Sequence, residues 1–233
     1  MIAVAAAGVS RRYGRRWALS GVGFEVPAGA LVMVTGRNGS GKTTLLRVLA
    51  TALRPDLGSV SIHGHDVSRE REQARRLTAL LGHRTHLYEP LTALENMAVA
   101  ARFLGTDASR PVLLERLDEV GLGDRADDLV QTFSAGMRQR LSLARALQQD
   151  ARVLLLDEPY GHLDPPGFSM VDGLLQRLRR NGATVLMATH LVARGRGLCD
   201  RALVLDAGHL IYAGPVSGMP ASQSDEAGLA EGS

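Results

Sequence analysis

The sequence predicts an α/β fold: a parallel-sheet core, an antiparallel β-subdomain at the N-terminal end, and a helical subdomain inserted into the core. Three observations carry this. A continuous apolar run, Leu31-Val32-Met33-Val34, reads as a strand buried on both faces and leads into a glycine-rich loop that opens a helix. A block of helical periodicity over about 91–149 separates two β-rich portions. Beyond it, strands and helices alternate from Val153 to Leu205, the pattern of parallel strands joined by right-handed crossovers.

The elements follow in order. Ile2 to Val9 and Leu19 to Val26 read as strands, and the Pro27-Ala28-Gly29 turn leads into a third over Ala30 to Thr35. A helix is predicted from Lys42 to about Ala52, stopped by Arg54-Pro55-Asp56 because a residue before proline is pushed out of the helical region. Val60-Ser61-Ile62 and Gly64 suggest a short hairpin. In the helical block the periodic segments are Ala93 to Phe103, Pro111 to Val120 and Met137 to Gln149. After it come a strand at Val153 to Leu156, a helix near Phe168 to Asn181, a strand at Thr184 to Ala188, a helix near Val192 to Leu198 and a strand at Ala202 to Leu205. One domain is expected over 1–216, with 217–233, poor in large apolar residues, a disordered tail.

Composition narrows the class. At 233 residues and 45% hydrophobic content the chain can bury a full core. Its single cysteine, Cys199, has no partner for a disulfide or a thiolate metal site, which favours a reducing compartment and a small buried side chain. The net charge is +3, and the basic residues are scattered in pairs such as Arg11-Arg12, Arg15-Arg16, Arg75-Arg76 and Arg179-Arg180. Without a clustered basic stripe, and with 4% aromatics, nucleic acid is not an expected partner. No apolar run reaches the roughly 20 residues of a membrane-spanning helix. Met1 to Val9 lacks a positively charged start and reads better as an edge strand than as a signal peptide. Any membrane association is then expected through a partner.

The chemistry is concentrated in three motifs. Lys42 is the only lysine, and it stands in Gly36-Arg37-Asn38-Gly39-Ser40-Gly41-Lys42-Thr43, followed by Thr44, the pattern of a phosphate loop. Glycines let the backbone close on phosphates, amides converge on the oxygens, and an ammonium reaches along the loop as a compact charge where a planar guanidinium would not. Thr43 offers a hydroxyl to magnesium. Val153 to Leu156 then ends in Asp157-Glu158, two acids at the carboxyl end of a buried strand, where open α/β sheets bind ligands. Asp157 would hold the metal through water, opposite Thr43, and Glu158 would polarise an attacking water. The third motif is Phe133-Ser134-Ala135-Gly136-Met137: Ser134 can cap the helix it opens, and Gly136 leaves amides open to an anion.

With these motifs in this order the chain resembles the ATP-binding cassette family over residues 2 to about 214. That family's signature is usually Leu-Ser-Gly-Gly-Gln; Ser134 and Gly136 match it, while Phe133, Ala135 and Met137 depart. The resemblance implies a RecA-like core, ATP and Mg2+ as ligands, and two chains closing head to tail. Each ATP would then lie between the phosphate loop of one chain and Ser134 and Gly136 of the other. Gly161-His162-Leu163-Asp164 resembles the family's dimer-contacting loop, and His190 its switch histidine, which senses the γ-phosphate. Tyr13, 23 positions before Gly36, resembles the aromatic that stacks on adenine, with Trp17 as its competitor. His83 falls where the family usually has glutamine; protonation would remove its acceptor nitrogen, so hydrolysis or its coupling is expected to weaken in acid. His63, His65 and His86 complete no metal set and read as surface or turn residues.

The resemblance also implies a membrane permease on a separate chain, with the cassette at the cytoplasmic face of the membrane. Leu81-Gly82-His83, Leu91-Thr92-Ala93-Leu94-Glu95-Asn96, Phe133 to Met137 and Asp157-Glu158-Pro159-Tyr160 look similar to the haem-exporter subunits of cytochrome c maturation. Cassettes that export drugs, lipids or polysaccharides share several of these segments. A soluble cassette ATPase would usually carry two cassettes or a long coiled coil, and a phosphate-loop kinase would not need Ser134-x-Gly136.

Overall fold

The computed structural model of the chain describes residues 1–83 and 85–220. Its elements are β1 (Ile2–Tyr13), β2 (Arg16–Pro27), β3 (Leu31–Thr35), α1 (Lys42–Leu49), β4 (Leu57–Ile62), β5 (His65–Asp66), α2 (Arg71–Arg76) and β6 (Thr78–Leu81). The helices α3 (Ala93–Leu104), α4 (Arg110–Asp118) and α5 (Ala135–Leu147) follow. Then come β7 (Val153–Asp157), α6 (Pro165–Arg180), β8 (Thr184–Ala188), α7 (Val192–Leu198), β9 (Arg201–Asp206) and β10 (His209–Pro215).

The strands form two sheets. One is antiparallel in the order β2-β1-β4-β5; the other runs β10-β9-β3-β8-β7-β6. In the second sheet β9, β3, β8, β7 and β6 are mutually parallel, and only the edge strand β10 is antiparallel to its neighbour. Every residue of β3, β7 and β8 is buried, which is why each reads as a continuous apolar run. Their side chains still alternate between faces. Val32, Val34, Leu155 and Leu186 pack with Leu45, Leu46 and Leu49 of α1 and with the antiparallel sheet, so α1 is sandwiched between the two sheets. Leu31, Met33, Leu154, Leu156 and Met187 face the other way, onto α5, α6 and α7. Truncation of Leu155, fully buried at the centre of β7, is expected to cost about 2–5 kcal/mol. Thermal or urea unfolding of Leu155→Ala measures this, and an unchanged midpoint would contradict the packing described.

Four departures from expectation have local causes. The first hairpin is longer than predicted, because β1 and β2 continue pairing out to Tyr13 opposite Arg16. Helix α1 ends at Leu49, short of Ala52: Thr51 takes a left-handed φ of 60°, and the N–H groups of Ala52 and Leu53 both return to the Arg47 carbonyl, at 2.9 and 3.1 Å. The elements α2, β6 and β10 were not expected; α2 is one charged turn, β6 is short, and β10 is a half-exposed edge. At the far end, Val216–Gly218 form a 3-10 turn and Met219 is buried against the α6 and α7 side of the core, so order continues past 216. Residues 221–233 of the expected tail lie outside the described residues. Among the described residues no helix is long and apolar enough to cross a membrane.

The helical subdomain has its own core, built from Met97, Leu113, Leu117, Val130, Phe133 and Leu141. Helix α5 serves two cores at once: Leu141 and Ala144 belong to this cluster, while Leu143 and Leu147 pack under the parallel sheet. Thr92 begins α3 with a capping box, exchanging bonds with Glu95 in both directions.

Cys199 is buried, and burial pushes its thiol up to about 12, as befits an inert core residue. His63 lies in the β4–β5 turn, yet both its ring nitrogens are covered and without a hydrogen-bond partner. Burial first, then the charges of Arg152 and His65, lower its pKa. A base held neutral in the native state contributes stability above its unfolded pKa of about 6.5, and that contribution is lost as pH falls toward the lower native value. The fall of melting temperature on acidification is therefore expected to be shallower in His63→Gln than in the parent. Equal slopes would remove His63 from the acid response.

Candidate functional site

The site is assembled at the carboxyl ends of β3 and β7. β3 delivers the chain into the loop 36–41 at Gly36, whose φ of 142° suits glycine, and a Cβ there would stand 2.0 Å from the Leu205 carbonyl oxygen. The loop then turns into α1, with Lys42 as its first residue. Lys42 is buried, and its Nζ curls back over the loop, donating to the carbonyls of Gly36 at 2.7 Å and Arg37 at 3.1 Å. Burial lowers its pKa, and the charges of Glu158 and Asp157 act in the opposite direction. Ser40 in the same loop carries a buried hydroxyl oxygen with no hydrogen-bond partner.

Asp157 ends β7 almost fully buried, and Thr43 Oγ1 donates to its Oδ2 at 2.8 Å. Hydroxyl and carboxylate oxygens are the hard donors that magnesium takes. Among the described residues no group of three or more His, Cys, Asp or Glu side chains could hold a metal. The Thr43–Asp157 pair therefore fits a cation that completes its shell with water and phosphate oxygens, rather than one caged by protein.

Glu158 adopts a left-handed φ of 52°, uncommon outside glycine, and its N–H bonds to the Ala188 carbonyl at 2.9 Å. Its Oε2 lies 2.9 Å from Nδ1 of His190, which follows β8. The carboxylate side is shielded, with 22% of the Glu158 side chain exposed, while the imidazole is 68% exposed. Both residues stood out in the sequence; their contact did not.

Ser134 caps α5, its Oγ accepting from Met137 N–H at 3.2 Å. Gly136 lies against the loop after β7, where a Cβ would come within 2.9 Å of the His162 carbonyl oxygen. Asp164 of that loop caps α6 through the Gly167 N–H at 3.0 Å and accepts from Arg140 at 3.1 Å. A residue missed in the sequence joins the two parts: Gln139 Nε2 donates to the carbonyls of Glu158 at 3.2 Å and Pro159 at 3.3 Å. Only its placement on the buried face of α5 could have marked it.

A cavity of about 510 Å³ collects most of the predicted residues: Tyr13, Asn38, Gly39, Gly41, Lys42, Thr43, Thr44, His83, Asp157 and Glu158. Arg16 and Ala18 line it as well, and neither was expected to. Trp17, the competitor of Tyr13, is not among the lining residues and lies with Arg12 Cζ 5.8 Å from its ring centroid. Ser134, Gly136 and His190 do not line the cavity either. His83 also borders a second opening, a groove of about 730 Å³ between the core and the helical subdomain.

The family model described as ABC transporter (ABC_tran) matches residues 19–161. The chain is similar to the daunorubicin resistance ATP-binding protein DrrA3 of Streptomyces coeruleorubidus, 40% identical over 214 residues that cover 91% of this chain and 68% of that protein. It is also similar to the ABC transporter ATP-binding protein NatA of Bacillus subtilis, at 33% identity over 90% of this chain and 86% of that one. Among solved structures, a dimeric ATP-binding cassette in a post-hydrolysis state with ADP and Pi superposes with a TM-score of 0.84 at 27% identity, covering 93% of this chain and 100% of its own. The phosphate loop, the acids that face it and these relatives together place the chain in the ABC transporter family, as an ATP-binding subunit that hydrolyses ATP.

Proposed function

We propose that the chain powers an exporter, working as a head-to-tail homodimer at the cytoplasmic face of a membrane, beneath a permease carried on a separate polypeptide. The observation that carries this reading is the division of the motifs. The cavity holds Tyr13, the phosphate loop, Asp157 and Glu158, while Ser134 and Gly136 lie outside it. A second copy in the arrangement implied by the resemblance would bring its Ser134 and Gly136 to the ATP held by the first. Dimeric relatives among the solved structures favour the same arrangement.

In this reading Tyr13 stacks on the adenine, and the amides of loop 36–41 with Lys42 hold the phosphates. Bound at Thr43 and Asp157, Mg2+ would offset the charge that builds on the phosphate oxygens. Glu158 takes the proton of the attacking water, and His190, hydrogen-bonded to Glu158, senses the γ-phosphate from the other side. The groove bordered by His83 supports a membrane partner, because it exposes the large apolar side chains of Phe103, Leu104 and Tyr88.

For the cargo, the relatives' names favour export, of daunorubicin or a compound like it. Two are named for daunorubicin resistance and others for Nod factor export, although relatives named for aliphatic sulfonate import match almost as well. Haem, the narrower reading suggested by the short segments around His83 and Met137, finds no counterpart in those names. Purification of the native protein from membranes with its partner, followed by ATPase assays with daunorubicin and with haem, separates the readings. Stimulation of several-fold by daunorubicin is expected. Stimulation by haem alone would overturn the cargo, and absence of a multi-span membrane partner would overturn the exporter.

A further inference from the structure

We infer that Arg16 is a phosphate-binding residue of the nucleotide site, a second cation acting on the polyphosphate chain opposite Lys42. The inference rests on the reading of the cavity as the ATP site.

The β1–β2 hairpin sets this up. Tyr13 and Arg16 are directly opposed across the Gly14-Arg15 turn, and opposed residues of an antiparallel pair project from the same face. Both accordingly line the cavity that contains the phosphate loop. The guanidinium reaches that loop: a Cβ built on Gly39 would stand 3.8 Å from Arg16 Nη2. The guanidinium thus lies beside the loop backbone at Gly39.

Of the other hairpin arginines, Arg11 and Arg12 are engaged elsewhere, and Arg15 does not line the cavity. Arg11 pairs with Asp56 at 3.1 Å and lies 5.5 Å from the Tyr13 ring centroid, and Arg12 lies over Trp17. Among the described residues the Arg16 side chain has no ion pair, hydrogen bond or ring contact. The acids of the cavity, Asp157 and Glu158, are the two whose charges act on Lys42. An unpaired guanidinium at the rim of a cavity built for a polyanion has the forked donor geometry that phosphate oxygens accept. With Tyr13 on the same face, the hairpin end would hold the base with one side chain and the phosphates with the next.

The test is calorimetric titration of ATP into the full-length parent and into Arg16→Ala, Arg16→Lys and Lys42→Ala, each at low and high salt. Arg16→Ala is expected to weaken ATP binding about tenfold and to flatten its salt dependence, with partial recovery in Arg16→Lys. The inference is overturned if Arg16→Ala binds within twofold of the parent while Lys42→Ala loses binding. A tenfold loss with unchanged salt dependence would also overturn it, since that marks packing against the base. If Lys42→Ala also binds normally, the ATP-site reading itself falls.

Discussion

In Glu158→Gln, ATP is expected still to bind, turnover to drop by about 10²–10⁴-fold, and ATP-bound dimers to accumulate. The amide has nearly the shape of the carboxylate, so the turn that carries it should persist: that turn is held by the Glu158 N–H on Ala188 and by Gln139 on the carbonyls of Glu158 and Pro159. What disappears is a group able to take a proton, together with the charge that faces His190 Nδ1 at 2.9 Å. Binding is expected to be spared because the proposed phosphate ligands are elsewhere, on the loop and α1. Steady-state phosphate release measures the loss, and size exclusion with and without ATP measures the dimer. Parental turnover in the variant would end the assignment of Glu158 as the proton acceptor.

Lys42→Arg should fail one step earlier, with ATP affinity reduced by about 10²-fold or more. Charge is conserved, so the expected loss is one of fit. The ammonium sits buried within 2.7 and 3.1 Å of two loop carbonyls, at the base of a loop that closes tightly around it. A planar guanidinium cannot occupy that space as a point charge, and displacing it opens the loop. Equilibrium titration with ATP reads the effect, and a melting curve without nucleotide shows whether the fold survives. Binding within threefold of the parent would show that charge alone suffices at this position.

Most of the architecture was legible because its signals are local or strongly periodic. Burial on both faces writes β3, β7 and β8 as unbroken apolar runs, and β8 and α7 occupy the very residues expected of them. The phosphate loop and the acids were readable as motifs, since the chemistry demands fixed residue types at fixed spacing. Less visible were features whose cause lies in tertiary contact. β10 is a half-exposed edge with no run to read, and the early end of α1 depends on how Thr51 turns. Gln139 is one more polar residue on a helix until the turn at Glu158 is brought beneath it. The contact of Thr43 with Asp157 spans 114 positions, and only the pairing of two motifs hints at it.

Helix α5 has a mechanical consequence. Its sides are claimed by different cores, its N-terminus carries the cap Ser134 and Gly136, and Gln139 hooks the turn that carries Glu158. It therefore behaves as an axle shared by two wheels. In the proposed dimer, a displacement of the helical subdomain would therefore be felt both at Ser134 and Gly136 and at the turn carrying Glu158, through one rod about three and a half turns long. In that dimer, engagement of one site and arming of the other would be geared together.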